Sequence, residues 1–399
     1  MNSAVAEKAR ANATDSSLDE RLSAFVGKGG ERFTAARDVV TREGIRKMIE
    51  VVGDRNPVYR DVEFAAHSVH GAIVAPPGSL ISWWQNCFEP VASTDWVDEQ
   101  GIRHFRLDPL PARGTAAAAT STPYDEALRI LASAGYTSVA GVGGELRIKR
   151  YPCVGDRLSY SDQRLESLVG PKRTGLGTGY FPTRTTYVRD QHGHAVAEIR
   201  LSSIIFAPSR ADDAKAPVPR PAVTTERPVL HPGTARTGSP RTLTAADMSV
   251  GETLPSLIVE GTPSLIIAGA LFNNDAMDVH HDSDWARRRG FEDVFMNTMT
   301  TQGLVTRFVN DWAGPEAVVE HLTWRLGRQQ YPHDTLYVTG KVVELASRER
   351  DAQVTVEVVC SNSLGVHATC VVKLGIPVSE KDRAAFATSR RACAVRPCD

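Results

Sequence analysis

Cysteine is scarce: six among 399 residues, with no Cys-x-x-Cys pair. That excludes a disulfide-dense secreted scaffold and the common zinc frames. Cys360 and Cys370 lie in strand-like runs and read as small buried hydrophobes. An excess of one charge is also lacking. Lys and Arg number 46 against 47 Asp and Glu, a net charge of -1, so no global field draws the chain to nucleic acid or an anionic membrane. A phosphorylated ligand would need a local basic patch. No apolar run reaches the length of a membrane span, and the first residues lack the basic and apolar regions of a secretory leader. The expectation is a cytoplasmic protein with free thiols and no membrane or nucleic-acid partner. Without nicotinamide, flavin or metal motifs, it is expected to work with no cofactor and no metal.

What is present suits a chain of two or three domains: 42% hydrophobic and 23% charged residues, enough for real cores. The segment between Pro208 and Pro240 is rich in Pro, Ala, Thr and Arg without an apolar period, and reads as a linker. The division is then a tail over 1–18, a first domain over 19–208, a linker over 209–240, a second domain over 241–378 and a loosely ordered tail over 379–399.

Both domains run in the same order, helical segments followed by strands. In the second, Ser283 is placed to cap a short helix that stops at Gly290. A longer helix runs from about Thr298 to Trp312, ended by Gly314 and Pro315, with Leu304, Val305, Phe308 and Val309 as its apolar stripe. Gly303 would let a sheet approach closely. Val354, Val356, Val358 and Cys360 alternate onto one face, as do Ala368, Cys370, Val372 and Leu374. A helix followed by an antiparallel meander that must bury one face suggests a sheet wrapped around that helix. In the first domain the corresponding helix, around Leu80, looks short because Pro90 interrupts it. The stretch from Val91 to Thr122 is longer than a compact domain usually carries and reads as a lid or pocket wall.

The halves also share a local motif. Asp54-Arg55-Asn56-Pro57-Val58-Tyr59 is followed by Asp61 and Ala65; Asp275-Ala276-Met277-Asp278-Val279-His280 is followed by Asp282 and Ala286. The constant offset marks a divergent duplication. The second copy has Asp and His where the first has Asp and Tyr. Imidazole exchanges a proton near neutral pH and a phenol does not, so Asp275 and His280 are the candidate catalytic pair. Spacing alone is weak support, because surface and structural histidines outnumber catalytic ones. His281 reads as structural, and Asp278 and Asp282 as turn and cap residues.

The run from Asp275 to His280 resembles the hydratase motif of the MaoC-like, R-specific enoyl-CoA hydratases, where the pattern is Asp-x-Asn-Pro-Leu/Ile-His. LVGPKRTGLGTGYF (Leu168 to Phe181) and DRNPVYRD resemble the non-catalytic domain of bacterial steroid side-chain hydratases. DVHHDSDWARRRG and NTMTTQGLVTRFVNDWAGP (Asn297 to Pro315) resemble their separate catalytic subunit. The resemblance implies an α+β double hot-dog fold, two antiparallel sheets each wrapped around a helix and joined edge to edge, and implies hydration of a bulky, steroid-like 2-enoyl-CoA or the reverse dehydration. It puts the oxyanion donor at about Thr298, with Asn297 beside it in substrate positioning. The zinc-bearing module of some relatives has no counterpart.

Lys172 and Arg173 are candidate contacts for CoA phosphates, although GPKRTGLGTG has no Gly-Lys-Ser/Thr ending and reads better as a hairpin. Arg287, Arg288 and Arg289 read as a solvated helix face. Of Trp83 and Trp84, at least one is ordinary core. A homodimer is expected by analogy. A hot-dog thioesterase, a dehydratase acting on a polyketide or terpenoid thioester, and a non-enzymatic acyl-binding protein stay open alongside the hydratase.

Overall fold

The computed structural model describes residues 18–85, 95–105, 121–174, 177–207, 228–233, 241–348 and 351–394. The strands of the first half are β1 (Phe33–Ala35), β2 (Asp95–Val97), β3 (Arg103–Phe105), β4 (Ser138–Ile148), β5 (Ser159–Ser161), β6 (Arg164–Thr174), β7 (Gly177–Arg189) and β8 (Ala195–Phe206). Those of the second are β9 (Leu257–Glu260), β10 (Val318–Leu326), β11 (Thr335–Ser347), β12 (Ala352–Asn362) and β13 (Gly365–Ile376). All but the β2–β3 hairpin join one eleven-stranded sheet in the order β1-β5-β7-β8-β4-β10-β13-β12-β11-β9, with β6 on β7. The halves meet edge to edge where β10 pairs antiparallel with β4, Leu322 opposite Leu146 and Trp324 opposite Gly144. A side chain on Gly144 would collide with the Trp324 indole, so the glycine lets the seam close. This is the double hot-dog fold.

The alternating residues of β12 and β13 are buried and pack on the helix Thr298–Ala313, whose Leu304, Val305, Phe308 and Val309 are also buried. The close approach of sheet to helix occurs at Gly340 in β11, where an added Cβ would lie 2.8 Å from the Phe308 ring. Gly303 does a different job from the one expected. It faces Val52 of the helix Arg42–Val52, so it admits a helix from the other half, not a sheet. The short helix is Ser283–Arg288, and its cap is Asp282, which accepts from the Trp285 N–H, not Ser283.

The duplication holds in three dimensions. Thr41 and Thr262 cap the helices Arg42–Val52 and Pro263–Phe272. Gly53 and Asn274 then take left-handed φ of 66° and 56°. The 3-10 turns Pro57–Tyr59 and Asp278–His280 follow, then the helices Val62–His67 and Ser283–Arg288 capped by Asp61 and Asp282. At the start of the central helix the copies part. The second half has sixteen helical residues after Asn297. The first has only the 3-10 turn Pro77–Ser79 after Pro76, and the helix Pro123–Ser133 comes beyond the long intervening stretch. Even the short helix expected there is absent from the described residues.

Residues 379–394 are not a loose tail. The helix Arg383–Ala394 docks with Phe386 buried, and Arg390 reaches Glu320 and Asp351. Most of the expected linker and of the expected lid lies outside the described residues, as does the tail before Leu18. Of GPKRTGLGTG, residues 170–174 and 177–179 lie in the paired strands β6 and β7. Trp83 is core, and Trp84 stacks on Tyr160. Cys360 and Cys370 are buried, with thiol pKa values pushed up by burial.

Candidate active site

Asp275 is delivered by the end of a helix. Its N–H bonds back to Ala270 O at 2.9 Å, a closure that the left-handed Asn274 makes possible. The loop is then pinned from the other half. Ser82 donates to Asn273 Oδ1 at 2.7 Å, and Asn274 donates to the Ser82 carbonyl at 3.0 Å.

His280 ends the 3-10 turn, 6% exposed against 7% for Asp275. Its Nδ1 lies 2.7 Å from the Phe295 carbonyl. A carbonyl only accepts, so Nδ1 carries the proton and the neutral ring presents an unprotonated Nε2. That nitrogen faces Asp275 Oδ2 at 3.6 Å, too far for a direct hydrogen bond. The Phe295 ring packs edge-on against the imidazole at 4.8 Å and limits its tilt.

Asn297 ties this pair to the central helix. Its Oδ1 accepts the Thr300 N–H at 3.0 Å as N-cap, and its Nδ2 donates to Asp275 Oδ2 at 3.1 Å. Both ends of the amide are committed, so the carboxylate is held by a side chain the helix itself orients. Thr298 opens the helix, where backbone N–H groups have no intrahelical partner and the helix dipole favours negative charge. Its hydroxyl is 3.7 Å from where a Cβ on Gly141 of β4 would stand, so the site borders the first half. Beneath the helix start, His367 accepts from or donates to the Thr301 hydroxyl at 3.0 Å, and burial lowers its pKa.

Four of the expected residues, Asp275, His280, Asn297 and Thr298, therefore converge. Lys172 and Arg173 do not join them. They are exposed on β6, and the row Lys172, Gly179, Phe206, Ser138 puts them three strands from β4, roughly 15 Å across the sheet. His281 bonds the Ala276 carbonyl at 3.1 Å. Asp278 has its pKa raised by burial. Arg288 and Arg289 lie over the Trp285 ring at 4.9 and 5.1 Å. The bracing by Ser82, Asn273 and Phe295 had no sequence signal beyond the Asn-Asn pair after an apolar run.

The matching turn of the first half is differently furnished. Asp54 is buried, its pKa raised by burial to about 6, and one oxygen takes the Asn56 N–H. Tyr59 is buried, its pKa pushed well up. Pro76 stands where Asn297 does and offers no amide. Pro77 stands where Thr298 does and has no N–H at all.

Residues 28–95 match the family described as FAS1-like, dehydratase domain region. Over 127 residues the chain is 42% identical to the 3-oxo-4,17-pregnadiene-20-carboxyl-CoA hydratase beta subunit of Mycobacterium tuberculosis, covering 32% of this chain and 95% of that protein. Over 209 residues it is 32% identical to a probable enoyl-CoA hydratase alpha subunit of Thermomonospora curvata, covering 51% of this chain and 58% of that protein. One chain thus matches both kinds of subunit, while spanning little more than half of the alpha subunit. A solved structure titled MaoC-like dehydratase superimposes with a TM-score of 0.62 at 19% identity, over 90% of this chain and 100% of the other, which is likeness of fold. Among the described residues no helix is long and apolar enough to cross a membrane.

Proposed function

This chain belongs to the MaoC-like hydratase and dehydratase family, and from that premise we propose that Asp275 and His280 add water across the 2,3 double bond of an enoyl-CoA. The observation that carries this reading is His280 Nε2, which the Nδ1 bond to the Phe295 carbonyl makes the acceptor of the neutral ring, facing Asp275 Oδ2 at 3.6 Å, at the start of a helix with free N–H groups. Two acceptors at that separation suit one water, which donates a hydrogen bond to each.

The water oxygen bonds to the β carbon as one of its protons passes to the pair. The electrons of the double bond move toward the thioester, whose oxygen gains charge and is met by the Thr298 N–H. The pair then returns a proton to the α carbon on the same face, leaving a 3-hydroxyacyl-CoA. Dehydration is the same path reversed. Asn297 positions the carboxylate throughout.

The first half, 19–208, serves in this reading as the non-catalytic partner of the catalytic half, 241–378. A 3-10 turn in place of its central helix favours a bulky acyl group, and the pregnadiene-carboxyl-CoA hydratase relative makes a steroid side chain the preferred candidate. The reading includes a cytoplasmic homodimer of such fused pairs, testable by light scattering.

The test offers purified protein a short enoyl-CoA and a steroid side-chain enoyl-CoA and follows the conjugated thioester absorbance together with free thiol. Loss of absorbance without thiol release supports hydration. Thiol release would instead make it a thioesterase, and no change with either substrate would favour an acyl-binding protein.

A further inference from the structure

Arg184 lies in β7, where Tyr180, Pro182, Thr186 and Val188 alternate onto the buried side of the sheet. Its parity puts it among them. Its Nη1 donates to Ser203 Oγ at 3.0 Å, its guanidinium lies 5.3 Å over the Tyr124 ring, and its Nε is buried without a hydrogen-bond partner. No carboxylate of the described residues comes within ion-pair distance of it. Arg184 is half-buried, and its guanidinium has one hydroxyl, one ring and no counter-charge among the described residues, which leaves its buried Nε without compensation. Structural arginines here are furnished otherwise: Arg150 meets both Asp156 and Asp190, and Arg390 meets Glu320 and Asp351.

The place matters as much as the charge. Ser203 is the register partner of Gly141 on β4, so their side chains share a face, and Gly141 is the residue that Thr298 approaches. Arg184 therefore lies on the concave side of the first half, two strands from the β4 position that the start of the catalytic half's central helix approaches. This is also the half whose own central helix is cut to the Pro77–Ser79 turn.

We infer that Arg184 is a substrate-binding residue that receives an anionic oxygen group of the acyl-CoA. This rests on the hydratase reading above. The guanidinium fork suits a carboxylate or a phosphate, so the anion belongs either to a carboxylate on the acyl group or to a phosphate of CoA.

The experiment compares wild type with Arg184→Met, which keeps the stem and removes the charge, and with Arg184→Lys. Three probes are used: crotonyl-CoA, crotonyl-pantetheine, and a 2-enoyl-CoA ending in a free carboxylate. An acyl carboxylate as the anion predicts a KM at least tenfold higher in Arg184→Met for the carboxylated probe alone, with kcat within threefold. A CoA phosphate predicts the same rise for both CoA thioesters and none for crotonyl-pantetheine. Arg184→Lys should recover part of the loss in either case. Unchanged KM ratios among the three probes would overturn the inference. If the wild type hydrates none of them, calorimetric titration with the same probes decides on Arg184: equal affinity in wild type and Arg184→Met would sink it, while the hydratase reading stands or falls separately on the steroid side-chain enoyl-CoA. If Arg184→Met does not fold, Arg184→Gln carries the same comparison.

Discussion

The two turns that follow Gly53 and Asn274 have the same backbone and opposite chemistry. Each presents a buried Asp, a 3-10 turn and an Asp-capped short helix. In the second half the turn ends in His280, whose ring is set by the Phe295 carbonyl, and Asp275 is held by Asn297 at a helix start rich in N–H groups. In the first half Tyr59 stands at the place of the proposed base, and Pro76 and Pro77 offer neither the side-chain amide of Asn297 nor the backbone N–H of Thr298. In the proposed reading the first copy serves as a scaffold, and it contacts the candidate loop directly: Ser82 bonds Asn273 and Asn274.

The largest expected effect lies on the base. His280→Ala should lower kcat/KM by roughly 100- to 10,000-fold, measured as loss of enoyl absorbance, while Tyr59→Phe in the matching turn should leave it within about threefold. Next comes stability at Asp54. Burial raises its pKa from 3.8 to about 6, so between those values the folded state binds the proton that the unfolded state has lost. Stability therefore falls as pH rises through this window, and the penalty is complete above about pH 6. Asp54→Asn should be more stable than wild type at pH 7 by about 3 kcal/mol, with the advantage vanishing below about pH 4. Urea unfolding across that range reads it, and a pH-independent difference would contradict the assignment.

The expected strength of the copies' divergence can be sharpened at Asn297. Asn297→Ala removes a cap and frees Asp275, so stability should drop by about 1 kcal/mol and kcat roughly tenfold to a hundredfold. A stability loss with kcat intact would confine Asn297 to capping. The smallest effect belongs to the brace. Ser82→Ala leaves the buried Asn273 oxygen without its donor and should cost about 1 kcal/mol, with a kcat loss smaller than that of Asn297→Ala.

Much of the catalytic half was legible because its residues obey one period at a time. Val354, Val356, Val358 and Cys360 alternate onto one buried face, and Leu304, Val305, Phe308 and Val309 form a helical stripe between a capping Asn and a Gly-Pro stop. The helix Pro263–Phe272 was illegible because LIIAGALF is apolar on every side, so no face distinguishes helix from strand. The helix Arg383–Ala394 looked like a tail because its anchors, Glu320 and Asp351, are remote in sequence. Gly303 could be read as a point of close approach, but not which element approaches. The motif located Asp275 and His280. That Asn297 holds the carboxylate, or that Arg184 faces inward without a counter-charge among the described residues, depends on contacts between segments that no local pattern records.

The most direct test sets the two buried aspartates against each other in one assay. Asp275→Asn and Asp54→Asn are offered the same enoyl-CoA, with folding checked by circular dichroism. The account predicts that Asp275→Asn abolishes hydration while Asp54→Asn retains it near the wild-type rate. A folded Asp275→Asn protein that still hydrates, or an Asp54→Asn protein that does not, would contradict the assignment of catalysis to the second half.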